Sequence, residues 1–224
     1  MIDSIQTFGD SFLFGSDLSD SDENTYSRST WPALIADELD LEYKCHAQGG
    51  RGNNFISVNV LLHANPDSLN IINWSWIERF DYWIDQDNET PLNMTLRPDG
   101  DDLSKFYFKN LHHEIGDKFL SLSFIHSTHC YLKKHNIPFI STFMDQQLLD
   151  NTNYTHCLWI TNLQKEIQQD LKTFPGGQTF LEWSRANGYP ESKGWHPLEL
   201  AHEKAAEYWL PIYEKAINTH ITTK

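Results

Sequence analysis

The sequence predicts an α/β fold, a three-layer α/β/α sandwich around a mostly parallel central sheet. Three observations predict it. Short apolar runs recur at residues 2–8, 69–74 and 137–143, each of strand length. Segments between them carry apolar residues at steps of three and four, the spacing of a helix face. By residue 75 the order is strand, helix, strand, turn, helix, strand, which builds a parallel sheet covered on both faces.

Taken in order, residues 2–8 read as a buried strand. Gly9-Asp10-Ser11 follows, then a polar loop holding Ser16, Asp17, Ser19, Asp20, Ser21, Asp22 and Asn24. Residues 31–39 read as a helix, with Ser29 or Thr30 as cap and Pro32 in the first turn. Leu41, Tyr43 and Cys45 alternate with polar residues, as in a second strand. A glycine-rich turn at 47–54 leads to a short helix at 55–63, and the third strand, 69–74, ends at Ser75. Residues 78–83 read as strand or loop. Pro91, Pro98 and Gly100 mark 84–104 as a surface excursion. Leu111, Ile115, Phe119, Leu122, Ile125 and Leu132 predict one long amphipathic helix. A fourth strand follows at 137–143, a helix within 156–172 and a short one at 179–187. The last helix starts near Pro197 with Leu198, Ala201, Ala205, Tyr208 and Ile212 on one face, and Pro211 kinks it or ends its regular part. No repeat or low-complexity linker interrupts the chain, so residues 1–224 read as a single domain.

Charge narrows the partners. The net charge is −14, from 17 basic and 31 acidic residues. Lysine and arginine do not cluster beyond Lys133-Lys134, which argues against nucleic acid and against an anionic membrane surface. Three distant cysteines without a Cys-x-x-Cys pair predict free thiols in a reducing compartment. The first residues show no basic-then-apolar leader, and no apolar run approaches a membrane span. The expectation is a soluble cytoplasmic protein, with release by lysis or incorporation in a larger particle as the other settings.

Ser11 follows a strand and a glycine, at the sheet edge where ligands bind in such folds; Gly-Asp-Ser is equally ordinary turn chemistry. A serine nucleophile needs a base and oxyanion donors. The base candidate is His196, in Gly194-Trp195-His196-Pro197, on a loop before a helix. His202 reads as a polar contact at that helix's start. Arg79 could hold an anionic substrate group, but pairing with Glu78, Asp81 or Asp85 is the favoured reading. His126 and His129 share a helix face without a third ligand, so no metal is expected. The turn Gly49-Gly50-Arg51-Gly52 lacks the P-loop lysine and the Gly-x-Gly-x-x-Gly spacing, so no nucleotide cofactor is expected.

Phe8-Gly9-Asp10-Ser11, the glycine turn near residue 50, and His196-Pro197 followed by His202 together resemble the SGNH, or GDSL-type, hydrolase family across nearly the whole chain. With Trp31-Pro32, Asn53-Asn54-Phe55-Ile56 and Trp74-Ser75, the pattern looks most like the SGNH-like proteins of bacteriophage genomes. The resemblance implies a flavodoxin-like sandwich and a serine esterase. Ser11 would be the nucleophile and His196 the general base. The backbone N–H groups of Ser11 and of Gly50, favoured over Gly49, would face the oxyanion. A small-molecule or carbohydrate ester, such as an O-acetyl sugar, would be the substrate, with Trp74, Trp76 and Trp83 available for stacking or for the core. Two departures stand out. The family's oxyanion asparagine falls on Ser75, with Asn53 or Asn54 as substitute donors. Its triad aspartate falls on Lys193, so Glu191 or a backbone carbonyl must orient His196. These departures favour a rival reading, a protein of this shape that binds or builds an assembly such as a phage particle without turnover; Ser11 and His196 oppose it. Oligomeric state is not legible in the sequence.

Overall fold

The computed structural model describes residues 2–83, 93–150, 152 and 157–222, with backbone alone at 83, 93 and 218–222. In chain order the elements are β1 (Ser4–Phe8), α1 (Ser11–Phe14), α2 (Trp31–Glu38), β2 (Glu42–Cys45), α3 (Asn53–His63), β3 (Ser68–Trp74), β4 (Phe80–Trp83) and β5 (Asn93–Leu96). Then follow α4 (Asp102–Asn110), α5 (Glu114–Lys134), β6 (Phe139–Phe143), α6 (Leu158–Gln168), α7 (Phe180–Ala186) and α8 (Glu199–Thr222). Four strands pair in the order β2-β1-β3-β6, all parallel. Every residue of β3 is buried, so apolar side chains are needed on both of its faces, beside the buried polar Ser68, Asn70 and Asn73. Side chains still alternate between the two faces. Leu69 and Ile71 pack towards Trp31, Ile35, Trp209 and Tyr213, from α2 and α8. Ile72 and Trp74 pack towards Ile56, Leu122, Ile125 and Ile160, from α3, α5 and α6.

The last helix runs through Pro211 rather than ending there. Pro211 and Glu207, whose carbonyl loses its donor, both lie on the exposed face, where water can replace the missing bond. The buried stripe is Ala201, Ala205, Trp209 and Tyr213, all at 0% exposure; Tyr208 and Ile212 are half-buried. Beside the stripe, the buried His202 accepts the Trp31 N–H on Nδ1 at 3.1 Å and donates to the Pro197 carbonyl. One imidazole thus ties the starts of α2 and α8 to the loop before α8.

The region after β3 departs most from expectation. Residues 84–92 lie outside the described ones, but β4 and β5 form an antiparallel pair, so the excursion has a structured base. A tight turn follows β5, with the Gly100 N–H bonded to the Arg97 carbonyl at 2.9 Å, and Asp101 caps α4. The long helix expected from Leu111 onwards is α5, which starts at Glu114, while a separate helix that was not expected, α4, precedes Leu111. Leu111 lies between them and is 64% exposed. The buried face of α5 includes Lys118, Ser121, Thr128 and His129, polar residues that apolar periodicity does not count. Cys45, Cys130 and Cys157 are free thiols. Among the described residues no helix is long and apolar enough to cross a membrane.

Burial holds His202 down to about 3 and His46 and His129 down to about 4. In the unfolded chain histidine titrates near 6.5. Below that pH the unfolded state binds more protons, so stability falls as pH drops from about 6.5 towards 4. Urea unfolding should show a midpoint that declines across this window. His202→Gln, whose amide oxygen can accept the Trp31 N–H, should flatten the decline; equal slopes in the two proteins would contradict the assignment.

Candidate active site

The turn after β1 is built around Asp10. Its Oδ1 accepts the Phe12 N–H at 3.1 Å and so caps α1. Its Oδ2 accepts the Ser75 hydroxyl and Arg79 Nη1, each at 2.9 Å. The same Nη1 reaches Ser75 Oγ at 2.7 Å and the Arg51 carbonyl at 3.0 Å. Asp10 is completely buried and the Arg79 side chain is 13% exposed. One guanidinium therefore joins the Ser11 turn, the end of β3 and the glycine turn. Arg79 is a structural residue, but its acidic partner among the described residues is Asp10 rather than Glu78 or Asp81. Asp81 instead accepts the N–H groups of Gly52 at 3.0 Å and Phe55 at 2.8 Å, capping α3 from β4. Asp85 lies outside the described residues.

These bonds also engage the side chains expected to face an oxyanion. The Ser75 hydroxyl donates to Asp10. The Asn53 amide donates to the Ser75 carbonyl and to Ser121 Oγ, each at 3.2 Å, while its oxygen accepts the Ser75 N–H at 2.7 Å. Both residues are 1% exposed. The structure corrects the expectation for Ser75 and Asn53: their donors point inward.

Ser11 and His196 meet. His196 Nε2 lies 2.9 Å from Ser11 Oγ across 185 residues of sequence. His196 Nδ1 lies 2.7 Å from Asp17 Oδ2. Neither Glu191 nor a backbone carbonyl takes this position, because Glu191 is clasped by Arg185 at 2.8 and 3.1 Å. Asp17 is the residue that sequence reasoning missed. The chain doubles back after α1, the Ser16 N–H bonding the Ser11 carbonyl at 3.0 Å, and this returns residue 17 to the side of Ser11. Nothing in the polar loop marks Asp17 apart from Asp20 or Asp22.

The Asp17 carboxylate is held on both sides. Ser192 Oγ donates to Asp17 Oδ2 at 2.6 Å and accepts the N–H groups of Gly194 at 3.0 Å and His196 at 3.3 Å. The Ser192 hydroxyl first, and His196 second, hold this carboxyl below the usual aspartate range despite the burial that opposes them. An ionised carboxylate only accepts, so Nδ1 carries the ring proton and the Nε2 lone pair faces Ser11 Oγ. A Cβ on Gly194 would lie 2.6 Å from Asp17 Oδ2 and 3.2 Å from His196 Nδ1, so a larger residue there would push the carboxylate aside. Trp195, next to the histidine, has φ of 68°, an outlier for a bulky side chain. Phe12 meets the His196 ring edge-on at 5.2 Å.

The glycine turn borders the same turn of chain. The Gln48 N–H bonds the Gly9 carbonyl at 3.1 Å, and Arg79 holds the Arg51 carbonyl. Gly50 is left-handed, with φ of 74°. A cleft of about 600 Å³ runs between Ser16 and Asp17 on one side and Gln48, Gly49 and Arg51 on the other. A second, of about 360 Å³, is lined by Trp76, Glu78, Arg79 and Arg97. A smaller cavity of about 200 Å³ lies against Asn53, Ile77 and Ser121 and touches none of Ser11, Asp17 and His196. Trp76 is half-buried, whereas Trp74 is wholly buried and donates to Ser141 Oγ at 2.8 Å, so it belongs to the core. The Trp83 side chain lies outside the description. His129 bonds Ser141 at 2.9 Å while His126 meets Cys130 Sγ at 3.7 Å, so the two face different partners. No cluster of three metal-ligating side chains occurs among the described residues.

No protein-family model and no curated protein matches the sequence. Solved structures match in fold. A GDSL-family lipolytic protein from Veillonella parvula has 10% identity and a TM-score of 0.50 over 94% of this chain and 98% of that one. The psychrotrophic esterase EstA from Pseudoalteromonas sp. has 9% identity and a TM-score of 0.52 over 96% and 99%. A carbohydrate esterase family 2 enzyme with its carbohydrate-binding domain, from Corynascus thermopiles, has 14% identity and a TM-score of 0.53 over 96% and 66%. The α/β architecture with its mostly parallel sheet is one that GDSL lipolytic proteins and carbohydrate esterases share.

Removing Arg79 strands a buried carboxylate. Arg79→Met should therefore cost about 3–5 kcal/mol in urea unfolding. Adding Asp10→Asn should recover much of the loss, and strictly additive effects would show that the pair is not coupled.

Proposed function

We propose that this chain hydrolyses carboxylic esters through an acyl-Ser11 intermediate. The observation that carries the reading is the hydrogen-bonded chain Asp17–His196–Ser11, with 2.7 Å on one side of the imidazole and 2.9 Å on the other. In the first half-reaction Ser11 Oγ bonds to the ester carbonyl carbon as its proton passes to His196 Nε2. The C–O bond to the alcohol then breaks, and the alcohol leaves with that proton. In the second half, water gives its proton to Nε2 and attacks the acyl carbon, and Ser11 recovers its proton as the acid departs. Asp17 holds the ring in the required tautomer and offsets the positive charge that the imidazole gains.

The backbone supplies the oxyanion donors in this reading. Ser11 opens α1, so its N–H has no partner within the helix. Gly50 would offer a second N–H from the facing turn. The departure at Lys193, which favoured a protein without turnover, loses its force because Asp17 supplies a carboxylate at the same nitrogen. An O-acetyl carbohydrate is the proposed substrate class. Its supports are the fold shared with the Corynascus carbohydrate esterase and the half-buried Trp76 beside the cleft.

A fluorophosphonate probe should label Ser11 in the native protein, and label neither Ser11→Ala nor His196→Ala. The Pseudoalteromonas esterase has itself been seen inhibited by monoethylphosphonate. With p-nitrophenyl acetate, Asp17→Ala should lower turnover by about 10³–10⁴, while Glu191→Gln leaves it unchanged. Gly194→Ala should also lower it, by displacing the Asp17 carboxylate. A folded protein whose Ser11 resists the probe would overturn the reading.

A further inference from the structure

We infer that Arg97 is a catalytic residue of this site, its guanidinium supplying the charged oxyanion donor that Ser75 and Asn53 do not. The inference rests on the ester-hydrolase reading. It begins from a deficit. At the tetrahedral stage a full negative charge forms on the former carbonyl oxygen, and two of the side-chain donors expected near it, Ser75 and Asn53, are turned into the protein. Two backbone N–H groups would be left to hold that charge. The chain carries a net charge of −14, and Asp17, Asp22 and Glu23 line the adjoining cleft, so the surrounding field opposes a new anion.

Arg97 is placed to answer that deficit. Its Nη1 lies 3.1 Å, and its Cζ 3.8 Å, from the point a Cβ on Gly50 would occupy. The guanidinium thus packs directly over the turn whose N–H faces the proposed oxyanion. Glycine at this left-handed position leaves the room it fills.

The backbone on either side of Arg97 is held. Thr95 Oγ1 donates to Asp81 at 2.5 Å, the carboxylate that also accepts the Gly52 N–H. Arg97, two residues on, is therefore tied to the glycine turn through one shared acceptor. After it, Pro98 occupies the second position of the turn closed by the Gly100 N–H, a place its fixed φ suits.

The charge is also available. Among the described residues the ionic partner of Arg97 is Asp99, at 3.7 Å from Nε, with side-chain exposures of 43% and 82%. Such a pair contributes little. Arg79 differs, since its Nη1 is engaged by Asp10, Ser75 and the Arg51 carbonyl.

The test compares Arg97→Ala, Arg97→Gln and Arg97→Lys with the native protein and Ser11→Ala, using p-nitrophenyl acetate. Losing one oxyanion donor costs on the order of 10²–10³ in rate. The inference expects Arg97→Ala and Arg97→Gln to lose kcat on that scale with KM little changed, and Arg97→Lys to retain part of it. Guanidinium ion added to Arg97→Ala should restore part of the rate, and none to Ser11→Ala. Matching urea midpoints would show that the variants fold. An unchanged kcat in Arg97→Ala, or a loss confined to KM, overturns the role of Arg97 while leaving the esterase reading intact. Native activity no greater than that of Ser11→Ala overturns both.

Discussion

A carboxylate with no access to solvent, that of Asp10, holds the working edge of this molecule together. Burying such a charge is costly unless its acceptors are filled. Here they are filled by the Phe12 N–H, the Ser75 hydroxyl and Arg79. Each donor comes from a different piece of the edge, and Arg79 carries the link on to the carbonyl of Arg51. The requirement to satisfy one buried group therefore fixes the relative positions of the Ser11 turn, the end of β3 and the glycine turn. It also has a chemical consequence. A serine hydroxyl has one proton to donate, and that of Ser75 goes to Asp10. In the proposed ester-hydrolase reading, this is what makes the placement of Arg97 over Gly50 informative.

The second constraint is closure between the two ends of the chain. Asp17 comes from the first loop and His196 from the last, and Ser192 bonds the carboxylate from the same side as the histidine. This loop is not relaxed. Trp195 is held at positive φ, and a Cβ on Gly194 would press on the Asp17 carboxylate. His202 anchors it by holding Trp31 and Pro197 with one buried, neutral ring. Packing of α8 on α2, driven by Trp31 and Trp209 stacked at 5.7 Å, thus sets the reach of an imidazole towards Ser11. Core and site share this connection, so the position of His196 depends on the packing of this helix pair.

The parallel sheet, the helices that cover it and the Ser11–His196 pairing were legible in the sequence. Buried parallel strands write themselves as apolar runs, and helices as steps of three and four. The resemblance to GDSL-type proteins supplied the pairing itself, since residues 185 apart carry no local sign of meeting. The long helix α5 was legible, but α4 before it was not, because only Ser104 and Tyr107 of its residues are buried and so little apolar periodicity marks it. The β4–β5 pair was read only as strand or loop and surface excursion, since short antiparallel strands between prolines leave little periodicity.

The sequence by itself determined which segments become strands and helices, and which two side chains were worth bringing together. Those are properties of local spacing and of residue type. Only the tertiary structure decided that the carboxylate beside His196 Nδ1 is that of Asp17 rather than Glu191, that Arg79 belongs to Asp10, and that Ser75 and Asn53 face inward. Each of these is a choice among chemically equivalent groups. Such a choice is made by distance in three dimensions, after the chain has folded back on itself, and it leaves no mark on the order of residues.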